Sequence, residues 1–498
     1  MESFGYLMHG FSIALQPTNL MFAVIGCLLG TLIGVLPGVG PAAGTAILIP
    51  ITFVLDPTPA IIMLAAIFYG AMYGGTITSV LVNVPGEAAS AITCIEGYEM
   101  AKRGRAGPAL AVAAIGSFIG GNVATIGLVL LALPLTALAL KFGPPEFFAL
   151  MFVGLSLVTG LAGRSLVRAL MSAVFGLMIA MIGIDPVMGA PRFSYGFTEL
   201  LDGFGIVPVA MGVFGLGEIL LNAEGEVASV FETKFSDLWM SWKDWKASFW
   251  PIFRGTFIGF FLGLIPGVGA VVPTFIAYVV EKKMSKYPEK FGTGMIEGVA
   301  SPETANNAYA NAALIPLFTL GIPGSPTIAI LMGAFMMNGL IPGPFLFKEH
   351  ADFVWAVIAS LYIGNLILVI MNLPLIPVWV AVLKIPYSIL YALILGFMVI
   401  GAYSLDNSVF DVGAMLMWGI FGYLFKKLDI PLAPLVLTLI LGPLMERGLR
   451  QSLEISRGDF TVFFTRPISA FLLAIAALFI LSTVFRLTNR VRGEDSQL

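Results

Sequence analysis

The sequence is poor in charged residues, and this shortage excludes the common soluble classes of protein. Lysine, arginine, aspartate and glutamate make up 11% of the 498 residues, less than half of the share of about 25% in ordinary soluble domains. So few charges cannot coat a water-soluble enzyme of this length. The 26 basic and 29 acidic residues nearly cancel, so the chain has no basic surplus with which to bind nucleic acid.

Cysteine and histidine are also scarce, which removes several kinds of site. Cys27 and Cys94 are the only cysteines, too few for the disulfide framework of a small secreted domain. His9 and His350 are the only histidines, and they leave little for a histidine metal site or a Ser-His triad. The sequence therefore predicts no enzymatic activity, no metal site and no cofactor, with Na⁺ as a coupling ion the one exception left open.

Apolar sequence is abundant, and glycine and proline interrupt it often. Hydrophobic residues make up 58% of the chain, and there are 56 glycines and 31 prolines. A helix needs about 20 apolar residues to cross a bilayer, and the apolar runs are continuous instead of alternating, which disfavours a β-barrel. We expect an all-α polytopic integral membrane protein with about ten to twelve spans, several of them broken helices or re-entrant hairpins.

The two halves of the chain share a pair of Pro-Gly motifs. Pro37-Gly38-Val39-Gly40 recurs as Pro266-Gly267-Val268-Gly269, and a second Pro-Gly pair follows each of them, at residues 83–87 and at residues 321–325. This self-similarity over a long interval predicts an internal repeat.

The charges of the loops predict that the two repeats are inverted. Between the motifs, only the second half has lysines, within residues 282–290; after the second motif, the first half has the basic cluster, within residues 102–105. Positively charged loops stay in the cytoplasm, so equivalent loops of opposite charge bias indicate opposite sides of the membrane. A parallel duplication with chance loop charges remains the alternative.

These patterns divide the chain into four parts. Residues 1–221 form the first inverted repeat, and residues 251–460 form the second. Residues 222–250 contain Trp239, Trp242, Trp245 and Trp250, which predicts an amphipathic helix lying at the membrane interface as a linker. Residues 461–498 form a C-terminal span and a basic cytoplasmic tail.

The Pro-Gly motifs are predicted to bind the substrate. Proline inside a helix costs about 3 kcal/mol, and the backbone groups it frees survive in a bilayer only where they line a cavity or face protein. The first amides of a broken helix have no partner and carry a partial positive charge, so tips that meet at the midplane can hold an anion. The predicted substrate-binding residues are Pro37, Gly38, Val39, Gly40, Asn83, Pro85, Gly86, Pro266, Gly267, Gly269, Asn306, Asn307, Pro323, Gly324, Ser325 and Thr327.

A polar stretch before the last motif supplies candidates for ion coupling. Glu303, Asn306 and Asn307 share a face if they are helical, and we expect that helix to begin at Pro302 with Ser301 as its cap. An acid near a membrane cavity is a functional candidate, and Glu87 occupies the equivalent tip in the first half. The predicted ion-coupling residues, for a proton or Na⁺, are Glu87, Glu303, Thr45 and Thr78. A cytoplasmic loop acid and an asparagine packing cluster are the alternatives.

These motifs together resemble a known family. Residues 34–40, 73–79, 83–86, 97–104, 266–269, 301–308 and 320–325 are similar to the large membrane subunit of tripartite tricarboxylate transporters (TctA type). The resemblance implies two protein partners, a small membrane subunit and a periplasmic solute-binding protein, and import of organic di- or tricarboxylates by symport with Na⁺ or H⁺. It also implies the bacterial cytoplasmic (inner) membrane and an elevator-type mechanism. Glu87 stands where we expect a small or hydroxyl residue in many relatives, which bears on the charge of the substrate.

Three other functions compete with this one. A passive anion channel would favour a continuous polar lining over paired helix breaks, and an ion-coupled carboxylate transporter without a binding protein would share most of the features above. A membrane-embedded enzyme would need a nucleophile–base pair or a metal cluster, for which the residues are poor. The identity of the carboxylate, the coupling ion and its stoichiometry, and assembly as a homo-oligomer are left open by the sequence.

Overall fold

A computed structural model describes residues 2–36, 40–156, 165–185, 188–222, 238–383, 385 and 387–495. Three predicted substrate-binding residues, Pro37, Gly38 and Val39, lie outside the described residues, as do residues 223–237 of the predicted linker. Most of the described chain is helical, as continuous apolar runs in a membrane require.

The first part of the chain contains ten α-helices among its described residues. They are α1 (Glu2–Ala14), α2 (Pro17–Val35), α3 (Gly40–Leu48), α4 (Pro57–Leu81), α5 (Thr93–Lys102), α6 (Ala106–Ala139), α7 (Pro144–Ser156), α8 (Leu166–Ala180), α9 (Ile206–Ala210) and α10 (Gly217–Asn222). Shorter elements join them: 3-10 turns at Ile49–Val54, Ala88–Ile92 and Thr198–Leu200, a π-helix at Met211–Leu216, and the strands β1 (Gly183–Ile184) and β2 (Pro191–Arg192). The strands pair antiparallel, with Gly183 opposite Arg192.

The second part contains thirteen more. They are α11 (Trp242–Gly263), α12 (Val271–Met284), α13 (Glu297–Ala312), α14 (Leu314–Leu320), α15 (Pro326–Met337), α16 (Pro344–Glu349), α17 (Ala351–Asn372), α18 (Ile376–Val382), α19 (Tyr387–Asp406), α20 (Val409–Lys427), α21 (Leu432–Ile455), α22 (Val462–Thr465) and α23 (Pro467–Asp495), with a 3-10 turn at Pro288–Lys290. The predicted boundary at residue 250 falls inside α11, and the division into domains stays a prediction.

Six of these helices are long and apolar enough to cross a membrane, counted over the described residues. They are α2, α4, α6, α17, α20 and α21, and further apolar helices of 10–17 residues accompany them. The chain is therefore a helical, multi-pass membrane protein, whereas the number of spans stays a prediction. Helix α4 lies at the centre of the molecule, because every residue from Pro59 to Leu81 is buried.

Helices α2 and α4 cross closely because glycines remove the side chains between them. A Cβ added to α2 at three glycines four residues apart would lie 2.2–2.5 Å from backbone oxygens of α4. The pairs are Gly26 with Met63, Gly30 with Ile67 and Gly34 with Ala71. Both members of each pair advance together along the sequence, so the two helices run parallel.

Helices α11 and α13 repeat this crossing in the second half. A Cβ at three glycines of α11 would lie 2.2–3.0 Å from backbone oxygens of α13. The pairs are Gly255 with Ser301, Gly259 with Ala305 and Gly263 with Tyr309. These two helices also run parallel.

The two crossings use equivalent positions relative to the Pro-Gly motifs. The α2 glycines precede Pro37 by 11, 7 and 3 residues, and the α11 glycines precede Pro266 by the same 11, 7 and 3. Their partners on α4 precede Pro85 by 22, 18 and 14 residues, and their partners on α13 precede Pro323 by the same 22, 18 and 14. The repeat in the sequence is thus matched by a repeat in helix packing.

Candidate functional site

Helix α13 carries the polar stretch, and it begins earlier than the sequence suggested. The expected start at Pro302 with Ser301 as cap is wrong: the helix starts at Glu297, with Pro302 in its interior. The preceding loop is fixed by a contact that the local sequence does not contain, because the Glu96 carboxylate accepts hydrogen bonds from the amides of Gly294 and Met295. The helix therefore starts directly after that anchored loop.

Glu303 is buried on α13 and held by hydroxyl groups of the first half. The Thr76 hydroxyl of α4 donates to Oε2 at 2.5 Å, and the Thr93 hydroxyl of α5 donates to Oε1. The backbone oxygen of Glu303 accepts from the Ser117 hydroxyl of α6 at 3.2 Å. Within the described part of the chain, no lysine, arginine or histidine forms an ion pair with this carboxylate.

Glu87 is the second buried acid, and it faces the same helix. The Asn306 side-chain amide donates to its Oε1 at 2.5 Å. Glu87 is 6% exposed and Glu303 is 1% exposed, so neither acid is a solvated loop residue. Both halves of the chain therefore contribute to one polar cluster, made of Glu87, Thr76, Thr93, Glu303 and Asn306.

The two threonines predicted for ion coupling lie outside this cluster of hydrogen bonds. The Thr78 hydroxyl donates to the backbone oxygen of Gly75, in its own helix, at 3.0 Å. Thr45 of α3 is buried, and its hydroxyl has no hydrogen-bond partner among the described residues. Asn307 also points elsewhere, because its side-chain amide donates to Ser117 at 2.7 Å.

The first-half tip, residues 83–87, is a tight turn after α4. Asn83 is exposed and has a φ of 58°, a left-handed conformation that asparagine tolerates better than most residues. Pro85 is half-buried. Gly86 packs so tightly that a Cβ would lie 2.1 Å from the Gly34 backbone oxygen, which joins this tip to the end of α2.

In the second half the two Pro-Gly motifs contact each other directly. The backbone N–H of Gly267 donates to the backbone oxygen of Gly324 at 3.0 Å, and the Tyr309 hydroxyl donates to the same oxygen at 2.9 Å. Glycine is required at Gly267 and Gly269, whose φ values are 79° and 71°. Like Gly40 and Pro266, they lie where helices are interrupted.

Helix α13 contacts both tips through two residues that lie less than one turn apart. Asn306 contacts the first tip through Glu87, and Tyr309 contacts the second tip through Gly324. Three helical residues correspond to a rise of about 4.5 Å. The second tip leads into α15, where the Ser325 hydroxyl accepts the Ile328 amide at 3.3 Å as a helix cap. Pro323 and Thr327 are buried beside it.

Sequence reasoning missed several residues that contact these acids. Thr93 and Ser117 were not predicted as site residues, because a single hydroxyl in an apolar helix more often bonds to its own backbone. Glu96 was also missed, although it is fully buried. Its carboxylate accepts a hydrogen bond from the Tyr278 hydroxyl at 2.8 Å, in addition to those from the amides of the loop before α13. Only a contact map could have linked these residues to α13.

A cavity of about 310 Å³ lies next to the second tip. Leu320 and Gly321 form one wall, and most of the lining is apolar. Arg447 and Gln451 of α21 also line it, and no ion pair involves Arg447 within the described residues. Of residues 321–325, Gly321 lines this cavity, and Arg447 gives the lining one basic side chain.

Comparison with known proteins identifies the family. The profile of the tripartite tricarboxylate transporter TctA family matches residues 20–437. The chain belongs to this TctA family. An uncharacterized 52.8 kDa protein in the TAR-I ttuC′ 3′ region of Agrobacterium vitis is 48% identical over 476 residues, which cover 95% of each chain. An uncharacterized protein in the TAR-II ttuC′ 3′ region of the same organism is 49% identical over 240 residues, 48% of this chain and 98% of the relative.

No solved structure matches the chain. Membership of the TctA family makes it a multi-pass membrane protein of a transporter family, in the setting of a tripartite system. The four Pro-Gly motifs and the polar cluster on α13 all lie within the residues that the TctA profile matches.

Proposed function

We propose that the chain is the large permease subunit of a tripartite secondary transporter that imports organic di- or tricarboxylates by symport with Na⁺ or H⁺. One observation carries this proposal: Glu303 is buried on α13 against the first half, Glu87 is buried against α13, and neither has a basic partner among the described residues. A buried carboxylate needs a proton or a cation to neutralise it. A cation that must be bound and released is what couples an ion gradient to transport.

The substrate is proposed to bind between the two tips, at the predicted residues. Ser325 and Thr327 begin α15, whose first amides and dipole favour an anion. The cavity beside Gly321, with Arg447 in its lining, gives an anion a route to this tip. Both tips contact α13 close together, which supports one shared binding site. Once Glu87 and Glu303 are neutralised, they repel an anionic substrate less.

The contacts of α17 favour the inverted arrangement of the two repeats. Helix α17 runs parallel to α2, because Gly364 accepts from Cys27 at 3.7 Å, and Asn372, further along, donates to Thr31 at 3.5 Å. It runs antiparallel to α6, because Asn365 lies beside Gly121 whereas Asn372 shares a cavity with Ser117.

Helix α6 in turn runs parallel to α13. Ser117 contacts Asn307, and Thr125, further along α6, donates to Asn311 at 3.3 Å. The pair α2 and α4 is therefore antiparallel to the pair α11 and α13, as inverted-topology repeats require. The proposal includes an elevator-type movement of these four helices, and the basis for it is the family resemblance.

The tripartite description of the family is the basis for the proposed partners. They are a small membrane subunit, a periplasmic solute-binding protein and the lipid of a bacterial inner membrane, and a homo-oligomer is compatible with them. A passive pore is less well supported, because the cavity beside Thr76, a hydroxyl partner of Glu303, has a volume of about 10 Å³, too small to pass a carboxylate.

Uptake by proteoliposomes tests the proposal. The complete transporter is reconstituted and given radiolabelled citrate, succinate or malate, with and without the binding protein, under an imposed Na⁺ gradient, a proton gradient or neither. We expect uptake of at least one carboxylate that depends on the binding protein and on a gradient. Equal uptake without a gradient would indicate a pore, and gradient-driven uptake without the binding protein would indicate a two-component or single-component transporter.

A further inference from the structure

A small cavity lies beside Thr76, a hydroxyl partner of the Glu303 carboxylate, and is part of no predicted site. Its volume is about 10 Å³, which is room for about one water molecule. The polar residues that line it are Tyr73 and Thr76 of α4, Ser117 of α6 and Asn372 of α17. Thr76 also donates to Oε2 of Glu303, so a single hydroxyl separates the cavity from the acid.

Two polar atoms of this lining are buried and have no hydrogen-bond partner among the described residues. The Tyr73 hydroxyl and the Asn372 Oδ1 both lack one, and their residues are 3% and 4% exposed. The Asn372 amide nitrogen, by contrast, donates to Leu368 and Thr31. An unpaired buried polar group costs about 1–3 kcal/mol, so two of them around one cavity indicate a binding site for a small polar molecule or ion.

The chemistry of the two atoms selects the occupant. Tyr73 offers a proton that needs an acceptor, and Asn372 offers an acceptor that needs a donor. A water molecule satisfies both, with its second proton directed to Thr76, and three hydrogen bonds are typical of buried water. A sodium ion would leave the Tyr73 proton without an acceptor. Ser117 has no proton left to donate to the cavity, since its hydroxyl already donates to the backbone oxygen of Glu303 and accepts from Asn307.

We propose that this cavity holds one water molecule, which with Thr76 forms the proton route to Glu303, so that H⁺ is the ion coupled at this acid. A hydronium ion of the bulk water transfers one proton to the water molecule in the cavity. The water passes one proton to the Thr76 oxygen while the Thr76 proton moves to Oε2. Water and Thr76 end unchanged, and Glu303 gains one proton. This inference rests on the proposed function and names its coupling ion.

Few titratable groups face Glu303 from the helices around it. They are Tyr73 of α4, Cys94 of α5 and Glu87 at the first tip. The nearby ions of α11 and α12, Arg254 and Glu281, are paired with each other at 2.5–3.0 Å. No described residue of α6 that lines the cavity is titratable. A proton brought by water is therefore the simplest way to neutralise this acid.

Infrared spectroscopy of the purified chain in lipid tests the inference without requiring transport. The carboxylic-acid band of Glu303 is identified at neutral pH as the band lost in Glu303→Gln, and its shift on exchange into deuterium oxide is timed. The variants Tyr73→Phe and Asn372→Leu remove the two partners of the water. Tyr69→Phe is the matched control, on the same helix, because its hydroxyl contacts Ser360 and does not line the cavity.

We expect deuterium exchange at Glu303 to slow about tenfold in Tyr73→Phe and Asn372→Leu, the effect of one lost hydrogen bond, and to stay unchanged in Tyr69→Phe. Saturating Na⁺ should leave the band in place. The inference is overturned if Na⁺ abolishes the band, if no Glu303-dependent band exists, or if the exchange rate is the same in all four proteins. Carboxylate uptake driven only by Na⁺ would overturn it while leaving the proposed function standing.

Discussion

Glu303 and Glu87 depend on partners that are far away in the sequence. Their hydrogen bonds come from Thr76, Thr93 and Asn306, each on the other side of the repeat boundary from the acid it serves. The acids are therefore buried only when both halves are packed together. We therefore expect replacement of one hydrogen-bond partner to lower both the stability of the protein and its transport activity.

Asn306→Ala tests this dependence. The change leaves the buried Glu87 carboxylate without its amide donor, and we expect the free energy of unfolding in detergent to fall by about 1–3 kcal/mol. Asn122→Ala is the control, because the Asn122 amide donates only to Phe118 of its own helix, and it should stay within about 0.5 kcal/mol of wild type. Equal stability of the two variants would count against the contact with Glu87.

The sequence predicted these acids better than it predicted their surroundings. Glu303 and Asn306 stood out because polar residues are expensive in a membrane and are retained for function or packing. Thr93, Ser117 and Glu96 gave no such signal, because their importance comes from helices that meet only in three dimensions. Thr78 shows the opposite case. Its hydroxyl lies near a Pro-Gly motif and was predicted as a site residue, but it bonds to the backbone of its own helix.

At the scale of elements, two parallel crossings built on glycine organise the protein. Helix α13 can approach α11 closely only because α11 presents Gly255, Gly259 and Gly263 at the contact. The same helix carries Glu303, Asn306 and Tyr309, so its position sets both tips. The length of the apolar runs predicted membrane helices, but the glycine spacing of four was not used. With it, close helix packing at these positions could have been proposed.

Gly259→Ala tests the crossing. A Cβ at this position would lie 2.2 Å from the Ala305 backbone oxygen, so the helices must separate. We expect the free energy of unfolding to fall by about 1–3 kcal/mol. Gly413→Ala in α20 is the matched control, because no atom lies within 4 Å of its added Cβ. There we expect the free energy of unfolding to rise by up to about 1 kcal/mol, because alanine has a better helix propensity than glycine. Thermal unfolding in detergent gives both values, and a neutral Gly259→Ala would refute the close crossing.

For the whole molecule, composition and long apolar runs predicted the membrane class, which the apolar helices support. The family resemblance predicted the TctA family, which the profile match confirms. The loop charges predicted inverted repeats, but the sequence could not supply the arrangement of helix contacts between the two halves. That arrangement rests on distant pairs such as Glu96 with the loop before α13. Gly294 of that loop also packs beside Glu99 and Met100, near the end of α5, so the loop after α5 and the loop before α13 lie at the same end of the protein.

Cysteine labelling tests this topology. The exposed residues Lys102, Lys283 and Lys348 are replaced one at a time by cysteine in a Cys94→Ser background, where Cys27 remains buried. We expect a membrane-impermeant maleimide to label positions 102 and 283 from the same side, the cytoplasm, and position 348 from the other. Labelling of 102 and 283 from opposite sides would contradict the inverted repeats.

The most direct test of the central claim compares net uptake with exchange in Glu303→Gln. A permanently neutral side chain should still allow loaded proteoliposomes to exchange labelled for unlabelled carboxylate, but it cannot release a coupling ion. For the carboxylate that wild type transports best, we predict that gradient-driven uptake falls at least about 100-fold, equivalent to about 2.8 kcal/mol, while exchange persists. Glu99→Gln, which removes only an exposed pair with Lys102, should retain both activities. Gradient-driven uptake at the wild-type rate in Glu303→Gln would contradict the account.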